Sequence, residues 1–306
     1  MKNKDLITLR DLSAKEIYSI LKLAKKLKKK PLMKKGIYKD KTLALLFQKP
    51  SNRTRISFEV AMVHLGGYAL YLSPQEIKMG TRESAKDVAK VISRYVDCIV
   101  PRVFSHNDIE EMARYSDVPV INGLSDLAHP CQGLTDIFTI MEKRKGFRRT
   151  SVAYVGDGNN VLNSLLFVCA KTGVNLRVAA PEGYLPDPEI FEEASSIAAK
   201  NKAVFEIFSD PKEAVKGCDF VYTDVWASMG QEEEKEKRLR DFEGYQVNDA
   251  LMRFANKDAM IMHCLPAHRG EEISDVIDSK SSIVYDQAEN RMHVQKAILL
   301  KFLGKA

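Results

Sequence analysis

Five consecutive residues, Ser51-Asn52-Arg53-Thr54-Arg55, bring two guanidinium groups and two hydroxyls to one spot. They follow an apolar run at 43–47 and a short Gln48-Lys49-Pro50 loop, and they open a helical pattern that continues through Ile56 to Met62. A strand, a tight loop and a helix start are therefore expected here. The start of a helix presents unpaired N–H groups and the positive end of its dipole, a ready anion site. Arginine forks onto phosphate oxygens with two parallel hydrogen bonds, and a hydroxyl donates another. Cations are disfavoured at a helix start unless an anion meets them. The segment thus reads as a phosphate seat, against the alternative of a basic first turn paired with acidic neighbours.

Four other stretches carry polar function. His129-Pro130-Cys131-Gln132 lies between a loop and a helix, where α/β folds place their sites. His129 can donate to a carbonyl oxygen whether or not it is protonated, and the plainer reading is a hydrogen-bonded structural histidine. Asp224-Val225-Trp226-Ala227-Ser228-Met229-Gly230 follows an apolar run and offers a carboxylate to a cationic substrate, against a capping Asp and a Trp anchor. His263-Cys264-Leu265-Pro266, with His268, Glu271 and Glu272 just beyond, invites a metal reading, and Leu265-Pro266 suits a cis bond. Strand alternation would put His263 and Cys264 on opposite faces, which argues against one ion held by both. A nucleophilic Cys264 would need a base, and none is identifiable from the local sequence. Gly156-Asp157-Gly158-Asn159-Asn160 resembles part of a dinucleotide fingerprint, but Val161 stands where the third glycine belongs and no acidic residue ends the next strand. Asn160 is read instead as a polar substrate contact or an N-cap.

These residues need strands and helices to carry them. Strands are expected at 42–47, 68–72, 98–102 and 119–122, and helices at 13–29, 51–65, 84–95, 106–115 and 131–143. Gly66-Gly67 supplies a left-handed end to the second helix. After Lys143-Arg144-Lys145-Gly146 the alternation restarts, with strands at 152–155, 176–180, 203–208, 220–223 and 259–264 and helices at 160–171, 187–200, 212–216 and 290–303. The fold class is α/β: two doubly wound domains, each a mainly parallel sheet flanked by helices, with a C-terminal helix returning to the first domain. The expected domains are 1–140 with 290–306, and 141–289.

The chain has 306 residues, 45% of them hydrophobic and 29% charged, enough for two packed cores. No apolar run approaches the ~18 residues of a membrane span, and the N-terminus reads as a polar helix rather than a signal peptide. Five cysteines without a CxxC spacing fit a reducing cytoplasm better than a disulfide or zinc framework. The net charge is +6, and ten lysines fall between Lys22 and Lys41. Lysines 22, 25, 26 and 29 lie opposite an apolar helix face and no aromatics interleave with them, so a solvated face is expected and not a nucleic-acid platform.

Together, Ser51-x-Arg53-Thr54-Arg55, His129-Pro130-x-Gln132, Asp224-x-Trp226-x-Ser228-Met229-Gly230 and His263-Cys264-Leu265-Pro266 resemble the motifs of the aspartate/ornithine carbamoyltransferase family, in order and over the whole chain. The last two are similar to those of its ornithine-using branch; aspartate-using relatives lack the Ser-Met-Gly loop. The resemblance implies carbamoyl transfer from carbamoyl phosphate to ornithine, within arginine biosynthesis, by a cytoplasmic homotrimer or assembly of trimers that needs no metal or organic cofactor. It implies carbamoyl phosphate contacts from Ser51, Asn52, Arg53, Thr54, Arg55, Lys78, Arg102, His129, Pro130, Cys131, Gln132, Cys264, Leu265 and Arg291. Asn160, Asp224, Ser228 and Met229 would bind ornithine, and Arg102, His129, Asp224 and Cys264 would act in catalysis. Two positions depart from the family pattern. Asn52 stands where most ornithine enzymes have Thr. Lys78 stands where a Gln is frequent, on a loop that in this family can reach a neighbouring subunit's site.

Overall fold

The computed structural model describes residues 5–147, 149–227 and 232–304. The chain divides into two compact units, Met1–Phe138 with Glu289–Ala306, and Thr139–Ala288.

The first unit contains α1 (Ala14–Lys29), β1 (Thr42–Phe47), α2 (Asn52–Leu65), β2 (Tyr68–Leu72), α3 (Pro74–Ile77), α4 (Ala85–Ile92), β3 (Cys98–Arg102), α5 (His106–Tyr115) and the beginning of α6 (Pro130–Arg144). Its strands are all parallel, in the order β2-β1-β3. β1 is buried from its second residue to its last, as a strand covered on both faces must be. α1 starts on a capping box between Ser13 and Glu16, and it buries Ile17, Ile20, Leu21, Ala24 and Leu27. Lysines 22, 25, 26 and 29 are exposed on the opposite side, the amphipathic arrangement read from the spacing. Gly66 closes α2 with φ of 89°, and a Cβ there would lie 2.6 Å from the Cα of Gly36, so only glycine fits.

The second unit contains β4 (Ser151–Val155), α7 (Asn160–Thr172), β5 (Asn175–Ala179), α8 (Pro188–Lys200), β6 (Phe205–Phe208), α9 (Pro211–Val215), β7 (Phe220–Thr223), α10 (Lys235–Asp241), α11 (Asp249–Met252), β8 (Met260–His263) and the first residues of α12 (Val284–Phe302). The five strands are parallel, in the order β6-β5-β4-β7-β8.

Two expectations change. Residues 119–122 form single bridges, Ile99 with Val120 and Leu6 with Ile121, and not an extended strand. Pro119 has no N–H, and that of Val120 is taken by the Asp5 carboxylate at 2.8 Å. The C-terminal helix starts at Val284, six residues before the expected 290. Its residues from Glu289 on belong to the first unit, where Tyr38 donates to the Leu299 carbonyl at 3.0 Å and Lys28 to Asn290 at 2.7 Å.

Candidate active site

In open parallel sheets, ligands bind beyond the carboxyl ends of strands where the strand order reverses. In the first unit the chain goes from β1 to β2 on one side and returns to β3 on the other, so the reversal lies between β1 and β3. The Ser51 segment follows β1 and Arg102 ends β3, its backbone paired with Phe47. In the second unit the reversal lies between β4 and β7. Asn159 and Asn160 follow β4, Asp224 follows β7 and Cys264 follows β8. Topology alone thus gathers the Ser51 segment and Arg102 at one reversal point and Asn160 and Asp224 at the other, with Cys264 on the neighbouring strand end.

At the first, Ser51 caps α2, its hydroxyl accepting from the Thr54 N–H at 3.3 Å. The first turn of α2 contains no acidic residue to offset Arg53 and Arg55. Arg291 of α12 donates to Thr54 Oγ1 at 2.8 Å and to Gln132 Oε1, and the Gln132 amide donates to Asp136 at 2.7 Å. One guanidinium therefore joins the start of α2 to the start of α6. His129 is 4% exposed. Burial, and then the positive charges of Arg291, Arg102 and Arg53, hold its pKa well below the ordinary imidazole value. The ring is a neutral donor or acceptor surrounded by three cations, a field that suits an anion or a developing oxyanion.

Arg55 is placed differently. Its guanidinium pairs with Glu59 at 3.0 Å and lies 3.9 Å above the Tyr71 ring. Cys131 is buried and its thiol donates to the Asn122 carbonyl at 3.5 Å, so its side chain serves packing. Lys78 is exposed on a turn with φ of 44°, between Ile77 and Met79, which are both in the core.

At the second point, the Asp224 carboxylate is buried and accepts from Asn159 Nδ2 at 3.0 Å and from the Cys264 thiol at 2.9 Å. Asn159 is the N-cap of α7, accepting from the N–H groups of Val161 and Leu162. Asn160 is thus the first helical residue and not the cap. The opposite-face argument for His263 and Cys264 does not hold: β8 ends at His263, alternation stops there, and ligand atoms of Asp224, His263 and Cys264 lie within 4.8 Å of one another. The His263 ring is nonetheless engaged on both sides. Its Nδ1 accepts the Leu265 N–H at 2.8 Å, and its Nε2 meets Glu272 Oε1 at 3.1 Å. An ion would have to displace one of these bonds. Leu265 takes a left-handed φ of 60° before a cis bond to Pro266. Left-handed backbone costs a leucine about 1–2 kcal/mol, and such strain collects at functional sites.

Arg238 of α10 braces this region. It donates to Asp157 at 3.0 Å, to the Trp226 carbonyl at 2.8 Å and to Glu234 at 2.9 Å. Burial raises the Asp157 carboxyl to about 6, despite the opposing charge of Arg238. Ser228 and Met229 lie outside the described residues. Asn159 and Arg238 were missed as candidate site residues. Asn159 stands beside Asn160 and could have been found by asking which of the two caps α7.

The family model for the carbamoyl-P binding domain of aspartate/ornithine carbamoyltransferases matches residues 4–142, and that for the Asp/Orn binding domain matches residues 148–302. The chain belongs to the aspartate/ornithine carbamoyltransferase family. Relatives within this family include an ornithine carbamoyltransferase of Archaeoglobus fulgidus, 55% identical over 99% of this chain and 98% of that one. An anabolic ornithine carbamoyltransferase of Pyrococcus furiosus is 53% identical over 98% and 96%. Among solved structures, the Pyrococcus furiosus ornithine carbamoyltransferase superposes with a TM-score of 0.95 at 52% identity, covering 99% of this chain and 97% of that one. The anabolic enzyme of Campylobacter jejuni superposes with a TM-score of 0.93 at 43% identity, covering 99% of each. The incomplete glycine fingerprint at 156–160 therefore sits in the Asp/Orn binding domain of a carbamoyltransferase. Its Gly158 is explained by packing: a Cβ there would lie 2.4 Å from the Leu185 carbonyl oxygen.

Proposed function

We propose that this chain transfers the carbamoyl group of carbamoyl phosphate to the δ-amine of L-ornithine, giving L-citrulline and phosphate. The observation that carries the acceptor's identity is the Asp224–Cys264 pair beside Asn159, in the unit matched by the Asp/Orn binding domain. A buried carboxylate at the reversal point suits a cationic amino acid and repels a second carboxylate such as that of aspartate.

In this reading Ser51, Asn52, Arg53, Thr54 and Arg102 hold the phosphate of the donor, with Arg55, Lys78 and Arg291 around them. Neutral His129, with Thr54 and Arg102, donates to the carbonyl oxygen, while Pro130, Gln132 and the Cys264-Leu265 backbone line the carbamoyl group. Asn160, Asp224, Ser228 and Met229 hold ornithine. An aliphatic amine has a pKa of ~10, so only its neutral minority attacks. Asp224 and Cys264 receive and orient that amine. Its lone pair forms the C–N bond, and the carbonyl electrons move to an oxyanion met by His129 and Arg102. Collapse breaks the C–O bond to phosphate, which leaves with the electron pair and takes up the proton that the nitrogen gives up. Positioning and electrostatics carry every step.

The assembly proposed is a homotrimer or a group of trimers; exposed Ile56, Val63, Tyr68 and Leu70 on α2 and β2 suit contact with another copy. Among the described residues no helix is long and apolar enough to cross a membrane, and five free cysteines suit the reducing cytoplasm. The deciding assay follows citrulline formation from carbamoyl phosphate and ornithine, with putrescine, acylated ornithine and aspartate in parallel. Product from ornithine alone is expected. Preference for putrescine or acylated ornithine would move the acceptor assignment, and no product from any amine would overturn the reading.

A further inference from the structure

Three segments of the first unit carry candidate phosphate ligands: the loop leading to Ser51, the end of β3 with Arg102, and the turn with Lys78. One side chain reaches all three. Gln48 is the first residue after β1. Its backbone N–H donates to the Arg102 carbonyl at 2.8 Å. Its Oε1 accepts the Phe104 N–H at 2.9 Å, and its Nε2 donates to the Met79 carbonyl at 3.2 Å. Lys49, the next residue, places its ammonium 4.4 Å from the centre of the Phe104 ring.

These bonds determine where two cations stand. The Gln48 N–H holds the carbonyl of Arg102 itself and the Gln48 side chain holds the Phe104 N–H two residues on, so the backbone that leaves Arg102 is fixed to the seat loop. Lys78 precedes the carbonyl that Gln48 holds at Met79. The lysine itself is exposed on a left-handed backbone, between the buried Ile77 and Met79. A primary amide suits this place because one group offers both an acceptor and a donor, neither of them charged beside an anion site.

We infer that Gln48 is a positioning residue for the phosphate half of the reaction, tying the end of β3 at Arg102 and the turn that carries Lys78 to the loop that leads to Ser51. The inference rests on the phosphate-seat reading above. Gln48 does not touch substrate in this account; it acts through the residues it places.

The test uses the full-length enzyme with Gln48→Met, which keeps the volume and removes both hydrogen-bonding groups, and Gln48→Asn, which keeps them but is too short to span. The KM for carbamoyl phosphate and the Ki of inorganic phosphate are expected to rise about three- to tenfold together, the range of one or two lost hydrogen bonds. The kcat and the KM for ornithine should stay within about twofold. Lys78→Met should have a smaller effect on top of Gln48→Met than alone, because the lysine is then already misplaced. A purely structural role would lower melting temperature and active fraction without moving the KM or the Ki. Unchanged KM and Ki in either folded variant overturns the inference. Arg53→Ala, run alongside, separates the two levels: if it leaves phosphate affinity intact the seat reading itself fails, whereas if it abolishes affinity and the Gln48 variants do not change it, only the role of Gln48 fails.

Discussion

His129 is the residue whose chemistry the structure changes most. From the sequence it could donate in either protonation state. Burial, and then the charges of Arg291, Arg102 and Arg53, favour its neutral form, so in the proposed reaction it would meet the oxyanion as a hydrogen-bond donor and not as a cation. Removing one such donor costs about 3 kcal/mol of transition-state stabilisation. His129→Ala is expected to lower kcat about a hundredfold while the Ki of inorganic phosphate changes little. The wild-type kcat/KM should show no acid limb from this histidine between pH 6 and 8, and a limb that disappears in His129→Ala would contradict the neutral assignment. The two arginines of the opening motif should also separate. Arg53 contributes to the field on His129, whereas Arg55 is held by Glu59 and the Tyr71 ring. Arg53→Ala is expected to raise the KM for carbamoyl phosphate at least about tenfold, the scale of a charge-assisted hydrogen bond. Arg55→Ala should raise it by less, and equal effects would place Arg55 in the seat after all.

At the scale of elements, the turn between β4 and α7 shows what was legible and why. Its strand, its glycines and its helix start were all visible, because a buried parallel strand leaves an apolar run and a cap leaves Asn. The reason for Gly158 was not visible, since it lies in the approach of the Leu185 carbonyl, which no local pattern encodes. The partners of Asp224 were equally hidden: Asn159 and Cys264 stand 65 and 40 positions away, and only the β4-β7-β8 order brings them together. Alternation misled at Cys264 because it was carried one residue past the end of β8. The same turn yields a pH prediction. Asp157 has a folded pKa of about 6 against an ordinary 3.8. The folded state therefore takes up this proton more readily than the unfolded chain, and the stabilisation it confers is full below about pH 4 and lost as the pH rises through 6. The difference amounts to at most about 3 kcal/mol. Relative to wild type, Asp157→Asn should gain up to that much stability between pH 4 and pH 7. Urea unfolding of both proteins across this range checks it; a difference that is flat with pH would mean that Arg238 cancels the burial of Asp157 completely.

At the scale of the whole chain, the first unit is discontinuous: it needs the residues from Glu289 onward, which supply Arg291 to Thr54 and Gln132 and a buried run at Ala297, Ile298, Leu299 and Leu300. This return was legible as a final helix, but its polar anchor was not, because a lysine on a helix normally reads as a solvated residue. Lys296 is fully buried, 3.1 Å from the Pro31 carbonyl and 3.2 Å from His64 Nδ1. Burial lowers its pKa from 10.5 to about 8, and its charge in turn helps keep His64 below the ordinary value. The unfolded chain holds this proton more tightly, so the folded state is at a disadvantage of at most about 3 kcal/mol below pH 8, and the disadvantage fades as the pH rises to 10.5. Lys296→Met removes the buried charge but also the bonds to Pro31 and His64, each worth about 1 kcal/mol. At pH 7 it is expected to be as stable as wild type or more so, since replacing a buried ionic group by an apolar one of similar size is often neutral or favourable. Between pH 7 and 10.5 its standing relative to wild type should fall by up to about 3 kcal/mol, as the wild-type amine loses its proton. Paired urea titrations at the two pH values measure this. A pH-independent difference would show that Lys296 is as well solvated in the folded chain as in the unfolded one.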